Sequence, residues 1–249
     1  MIDLVAGYAR GYSADQIRPF LKSLRGTGYS GRILLFANGE AAWEAENWDV
    51  DLRKVPKPQM KVHSARFICL EEALKEIPCE GVFLSDTRDV IFQKNPADHL
   101  PSEGLNVFEE DASMSIGICP YNSLWIKLGY GEEVLEAFSH YPISCVGTTC
   151  GDRVSILNYL QKLVREINEI QPRTTHPQDQ AAHNCLIRDE LDCRIWHNEE
   201  GEVYTVGYIQ RGGVQIKNNR IINSESKAPA VVHQWDRHRN LDTLVKCIL

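Results

Sequence analysis

Between Gly81 and Gln93 the chain reads Gly-Val-Phe-Leu-Ser-Asp-Thr-Arg-Asp-Val-Ile-Phe-Gln, and no other stretch restricts the fold as much. Val82, Phe83 and Leu84 are apolar at consecutive positions. A strand that is apolar on both faces is buried on both, as central strands of parallel sheets are. Asp86 and Asp89 emerge where that strand ends, and Val90-Ile91-Phe92 resume the apolar character. Open α/β sheets bind ligands beyond the C-terminal ends of their strands. Carboxylates placed there suit a hard divalent cation, and such a cation bridges phosphate oxygens. A single Asp after a strand also serves as a turn former or a helix cap. Two so close repel each other unless something positive stands between them. Arg88 or a metal ion is that positive group.

The chain has 249 residues, 43% of them hydrophobic and 24% charged, which fits a soluble α/β domain with a sizeable core. We expect residues 1–249 to form one domain. The formal charge of −7 and the lack of a long basic run argue against nucleic acid as a partner, since that needs a positive surface. Eight cysteines are scattered with no C-x-x-C pair. They read as buried free thiols of a reducing compartment, so a cytoplasmic location is expected. Met1-Ile2-Asp3-Leu4-Val5 already looks like a core strand rather than a signal peptide, and no apolar run reaches the length of a membrane span.

Along the chain, strands and helices alternate. A strand over 2–6 leads into a loop at 7–12. Ser13 and Gln16 then form a capping box ahead of Ile17, Phe20, Leu21 and Leu24, with Pro19 awkward inside that helix. A strand over 32–36 completes a βαβ unit, without the G-x-G-x-x-G dinucleotide fingerprint. A short helix over 43–48, a strand over 50–55 ended by Pro56 and Pro58, and a helical stripe from Phe67 to Ile77 lead to the strand at 82–84. This order predicts an α/β fold with a central, mostly parallel sheet flanked by helices.

The second half is less regular. Strands are expected at 105–108 and 116–118, and the acidic run Glu109-Glu110-Asp111 reads as a solvated turn. A short helix follows around Val134 to Phe138. Residues 143–151 are small, as if bulky side chains would obstruct something close by. Asp152 caps a long helix through Ile167, and Pro177 opens another through Leu186. Strands are expected over 203–209 and 214–222, the latter with a turn at Asn218-Asn219, and a last one over 230–233. His176 to Gln180 at a helix start suits capping as well as chemistry. His233 ends an apolar run ahead of Asp236, Arg237, His238 and Arg239, a place where an imidazole meets a metal or an anion.

In combination, three of these segments resemble nucleotide-sugar glycosyltransferases of the GT-A fold, a Rossmann-like domain. Phe83 to Phe92 looks like that superfamily's DxD segment, Gln178-Asp179-Gln180 like the D-Q element of glycogenin-like members, and Val231-Val232-His233 like their late metal-binding histidine. The motif departs from Asp-any-Asp, because the register ending at Asp89 reads Thr87-Arg88-Asp89. The resemblance implies a hexosyltransferase-like enzyme of polysaccharide biosynthesis that uses Mn²⁺ or Mg²⁺, a UDP-sugar donor and a glycan or other hydroxyl acceptor. It implies Asp89 and His233 as metal ligands, and Asp86 as a ligand through water or a contact to the ribose. Arg10, Arg66, Arg88 and Arg237 would meet the donor, and Asp179 would orient or deprotonate the acceptor; whether the anomeric configuration is retained or inverted stays open.

Two other functions compete. A phosphatase of the HAD type also places a carboxylate after an apolar strand, as Leu84-Ser85-Asp86-Thr87 does, although its nucleophile sits nearer the N-terminus. A noncatalytic nucleotide-sugar or glycan-binding module would keep the site without turnover.

Overall fold

The computed structural model describes residues 1–55, 61–210 and 213–248, with side chains up to 245. The twelve strands among the described residues are β1 (Ile2–Ala9), β2 (Arg32–Ala37), β3 (Asp51–Lys54), β4 (Gly81–Ser85), β5 (Val90–Phe92), β6 (Leu105–Glu109), β7 (Ser144–Asp152), β8 (Arg194–Trp196), β9 (Val203–Thr205), β10 (Gln215–Lys217), β11 (Arg220–Ile222) and β12 (Val231–His233). The nine helices among the described residues are α1 (Ala14–Gly26), α2 (Glu40–Ala45), α3 (Val62–Glu76), α4 (Pro96–His99), α5 (Pro120–Tyr130), α6 (Glu132–Phe138), α7 (Arg153–Ile170), α8 (Asp179–Asp189) and α9 (Arg239–Ile248).

Seven strands form the central sheet in the order β3-β2-β1-β4-β7-β6-β8. The pairings β3–β2, β2–β1, β1–β4 and β6–β8 are parallel, while β7 runs antiparallel to both β4 and β6. The expected α/β architecture is therefore present, with β4 an inner strand whose five residues are all buried. Helices α3, α7 and α8 cover one face, packing around Leu70, Leu74, Tyr159 and Leu163. On the other face α1 and α2 pack with β5 and β12 around Phe20, Phe83 and Phe92. Those two strands belong to a second, three-stranded sheet of order β5-β12-β9.

Local chemistry sets the ends of these elements. The Gln16 side chain accepts from the Ser13 N–H at 2.9 Å, so α1 starts at Ala14 and runs through Pro19 without a delay. Asp152 Oδ1 accepts from the Ser155 N–H at 2.8 Å and caps α7. Asn218 and Asn219 both take positive φ in the turn between β10 and β11.

Several expectations need correcting. Residues 116–118 form a turn instead of a strand, because Ile116 is buried while Ile118 is 65% exposed with no neighbouring strand to pair it. Helix α2 begins earlier than expected, at Glu40. Pro177 precedes α8, which starts at Asp179. The strand at 203 is three residues long and ends in a turn. Glu109 and Glu110 are not solvated, being 2% and 5% exposed. Pro56 and Pro58 lie outside the described residues. Seven cysteines are free thiols, five of them buried, and the Cys247 side chain is outside the described set. No described helix is long and apolar enough to cross a membrane.

Candidate metal centre

Three elements bring the site together. The backbone leaves β4 at Ser85, and the Asp86 N–H donates to the Gly147 carbonyl of β7 at 2.7 Å. Thr87 Oγ1 donates to the Tyr8 carbonyl at 3.2 Å, fixing the turn against β1. Asp89 then enters β5, whose antiparallel partner β12 sets His233 opposite Val90. The Gln234 N–H donates to the Asp89 carbonyl at 2.8 Å. Gln234 reaches this position with φ of 60°, a left-handed conformation that costs a non-glycine residue energy.

Asp86, Asp89 and His233 each present one ligand atom, and these atoms lie within 4.8 Å of one another. His233 Nε2 is 3.5 Å from Asp86 Oδ2 and 3.8 Å from Asp89 Oδ1. Adjacent donors in an octahedral shell with bonds of about 2.1 Å sit about 3 Å apart, and opposite ones about 4 Å. The spacing is compatible with a metal shell, and the two carboxylates and the imidazole could together hold a metal ion. His233 Nε2 is buried and has no hydrogen-bond partner among the described residues, which fits a nitrogen kept for a ligand. Gly147 makes room for the cluster. A Cβ there would collide with Asp86 Oδ2 and lie 2.8 Å from His233 Cε1. Within 143–151 the expected obstruction is the cluster at Gly147 and the Gly104 backbone at Gly151.

The charges around the cluster differ in what holds them. Burial pushes the Asp86 carboxyl up, but Arg66 and His233 more than reverse it, so it lies below the usual carboxylate range. Burial and the neighbouring Asp86 and Asp236 hold Asp89 above that range, though His233 offsets part of the rise. Burial alone would lower the His233 imidazole; Cys145, Asp89 and Asp86 raise it well above 6.5. Without metal, a proton on His233 is what separates the two carboxylates.

Arg66 of α3 lies between two acids. It forms an ion pair with Asp86 and donates to Asp179 Oδ2 at 2.7 Å. His63 Nδ1 lies 3.7 Å from the same Asp179 oxygen. Burial works against Asp179 ionising, but Arg66 and His63 outweigh it and keep the carboxyl low. The structure thus brings Asp86, Asp89, His233, Arg66 and Asp179 together. Arg88 stands at the rim, 3.1 Å from Asp236 and over the Tyr12 ring. Arg10 lies beside Tyr8, and Arg237 beside Gly207.

Behind His233 lies a second polar group that sequence reasoning missed. Cys145 Sγ is 3.6 Å from His233 Nδ1, and Gln234 Nε2 is 3.5 Å from Glu110 Oε1. Glu110 Oε2 and Gln234 Oε1 are buried without partners among the described residues. The only sequence signal for Glu110 was the acidic run itself, which is ordinary on a surface. Gln180 of the expected D-Q element faces β7. Its Oε1 accepts from the Val146 N–H at 3.0 Å and its Nε2 donates to the Ser144 carbonyl at 2.5 Å.

Fold and site together define an α/β protein with a mixed central sheet and an acidic–histidine cluster able to hold a metal ion. The chain matches no protein-family model, and no curated protein matches its sequence.

Proposed function

We propose that the protein is a metal-dependent glycosyltransferase that moves a sugar from a nucleotide-diphosphate donor, a UDP-sugar, to a hydroxyl of a glycan or other acceptor. The observation that carries this reading is the Asp86–Asp89–His233 cluster at the C-terminal end of β4, where open α/β sheets take their ligands. Asp89 and His233 hold the cation, with Asp86 beside them. A bound Mn²⁺ or Mg²⁺ supplies neutralisation of the charge that builds on the leaving diphosphate. Arg88 and Arg237 add positive charge beside the donor, and Arg10 lies in the loop after β1 where the nucleoside is expected.

Arg66 keeps Asp86 and Asp179 ionised and fixed, so Asp179 orients substrate hydroxyls through its accepting oxygens and is a weak base. Glu110 does not meet the acceptor: the residue is 5% exposed, its unpartnered oxygen is buried, and it stands behind His233, where burial raises its carboxyl and the imidazole offsets part of the rise. It supports His233, and Asp179 is our assignment for the acceptor hydroxyl.

The test is release of free UDP from a panel of UDP-sugars, with Mn²⁺ or with excess chelator, and with and without sugar acceptors. Metal-dependent release that rises with acceptor supports the reading. Donor binding without release identifies a binding module. Hydrolysis of simple phosphomonoesters without UDP release identifies a phosphatase.

A further inference from the structure

A cavity of 640 Å³ opens at the other end of β5 from Asp89, between the C-terminus of α1, the segment from Phe92 to His99, and the β10–β11 hairpin. Lys22, Lys94, Arg220 and His99 line it, with Thr27 and Asn219, and no Asp or Glu does. Lys94 is paired with Glu202 at 3.0 Å, but Lys22 and Arg220 have no carboxylate or hydrogen-bond partner among the described residues. With Lys94 compensated by Glu202, Lys22 and Arg220 are the uncompensated cations lining this recess, in a chain of net charge −7. Like charges on one concave wall repel each other and favour an anion between them. An anion that enters relieves that repulsion.

The walls are held in place. Ser23 Oγ accepts from the Phe92 N–H at 3.0 Å, tying α1 to β5. The Gln93 side chain clamps the hairpin, donating to the Ile221 carbonyl at 2.9 Å and accepting from the Ile221 N–H at 2.7 Å. That clamp fixes the backbone next to Arg220, which follows directly from the tight Asn218-Asn219 turn. The end of α1 does not oppose an anion strongly, because the carbonyls of Ser23, Leu24 and Arg25 are taken up by Thr27 and Gly28.

The volume falls within the ~300–1,000 Å³ range of small-molecule sites. Guanidinium and ammonium groups pair best with the several oxygens of phosphate. We propose that this cavity binds a phosphate-bearing small molecule, apart from the metal centre and without a divalent ion. The inference does not depend on the glycosyltransferase reading.

Inorganic pyrophosphate titrated calorimetrically into the protein in excess chelator, at constant ionic strength, tests it. The expected result is one saturable site, weakened at least tenfold in Lys22→Ala/Arg220→Ala and unchanged in Asp89→Asn. Both replaced side chains are at least partly exposed, and an unchanged unfolding midpoint checks that the double variant is folded. Lys22→Gln/Arg220→Gln, which keeps side-chain bulk, must show the same loss. Absence of saturable binding overturns the proposal, as does equal binding in the double variants. Loss of binding in Asp89→Asn moves the ligand to the metal centre and overturns it too. Citrate binding as tightly as pyrophosphate overturns the assignment to phosphate.

Discussion

Glu110 and Asp179 are both buried carboxylates near the cluster, yet their surroundings drive them apart. Asp179 faces a guanidinium and an imidazole, which hold its charge. Glu110 takes a 3.5 Å contact from Gln234 on one oxygen, and burial raises its affinity for a proton although His233 and Cys145 offset part of the rise. Under the proposed function Glu110 supports the metal-binding imidazole from behind, so Glu110→Gln is expected to weaken Mn²⁺-dependent donor binding and transfer in step, by roughly 10–100-fold. Steady-state kinetics and a donor melting series on the same sample measure both. A variant that keeps the wild-type Mn²⁺ dependence removes Glu110 from the support of His233, and one that loses rate with donor binding intact makes it a proton acceptor.

At the scale of elements, α8 holds β7 through a buried polar block. His183 Nδ1 meets the Tyr159 hydroxyl at 2.8 Å and its Nε2 meets Ser144 Oγ at 2.9 Å. Asn184 and Gln180 bond the Ser144 and Val146 backbone beside it. Burial, with Arg188 nearby, lowers His183 to about 3, so the folded protein keeps it neutral where the unfolded chain protonates at ~6.5. Between those values the unfolded state binds the extra proton, so this contribution to stability is lost as pH falls below 6.5. We expect the stability gap between wild type and His183→Gln to narrow as pH drops from 7 to 5, by up to about 1.4 kcal/mol per unit below 6.5. Urea unfolding at each pH measures it, and a constant gap would mean that His183 does not carry the proton linkage. Elements whose burial is even were legible in the sequence. The β4 strand announces itself because all its side chains are buried, and α7 because its stripe keeps one face. Helix α5 was missed because it buries only Asn122, Ile126 and Gly129 while Tyr121 is 62% exposed, so no apolar period shows. Glu109 was misread for a different reason. Its partners Arg188 and His197, at 2.9 and 2.6 Å, lie some 80 residues on, and no local pattern encodes them. The cluster residues themselves were visible because each lies at the border of a short apolar run; the Glu110–Gln234 pair behind them arises only from the fold.

For the molecule as a whole, net charge of −7 and two carboxylates in the cluster set the condition under which an anionic donor can bind. A diphosphate approaching Asp86 and Asp89 is repelled unless a cation stands between them. Binding of metal and donor to the folded state alone raises stability by ~2.7 kcal/mol at a hundredfold excess over Kd. For a chain of this size that corresponds to roughly 5–10 °C in melting midpoint. The gain should require Mn²⁺ and vanish in excess chelator or in Asp89→Asn. It should also depend on pH with a defined sign. The His233 proton is held well above 6.5 by Cys145 and the two aspartates, against burial, and the metal must displace it. The metal-linked gain should therefore be small at pH 6 and keep growing until pH passes the folded imidazole's own value, well above 6.5, with a proton released for each metal bound below it. Melting curves with and without Mn²⁺ at pH 6, 7 and 8, beside calorimetry in two buffers of different ionisation enthalpy, measure both quantities. A gain independent of pH and without proton release would mean that His233 is not a ligand, leaving Asp86 and Asp89 to hold the ion with water. A gain that persists in chelator would mean that the donor binds without any metal and would remove the ground on which the glycosyltransferase reading stands.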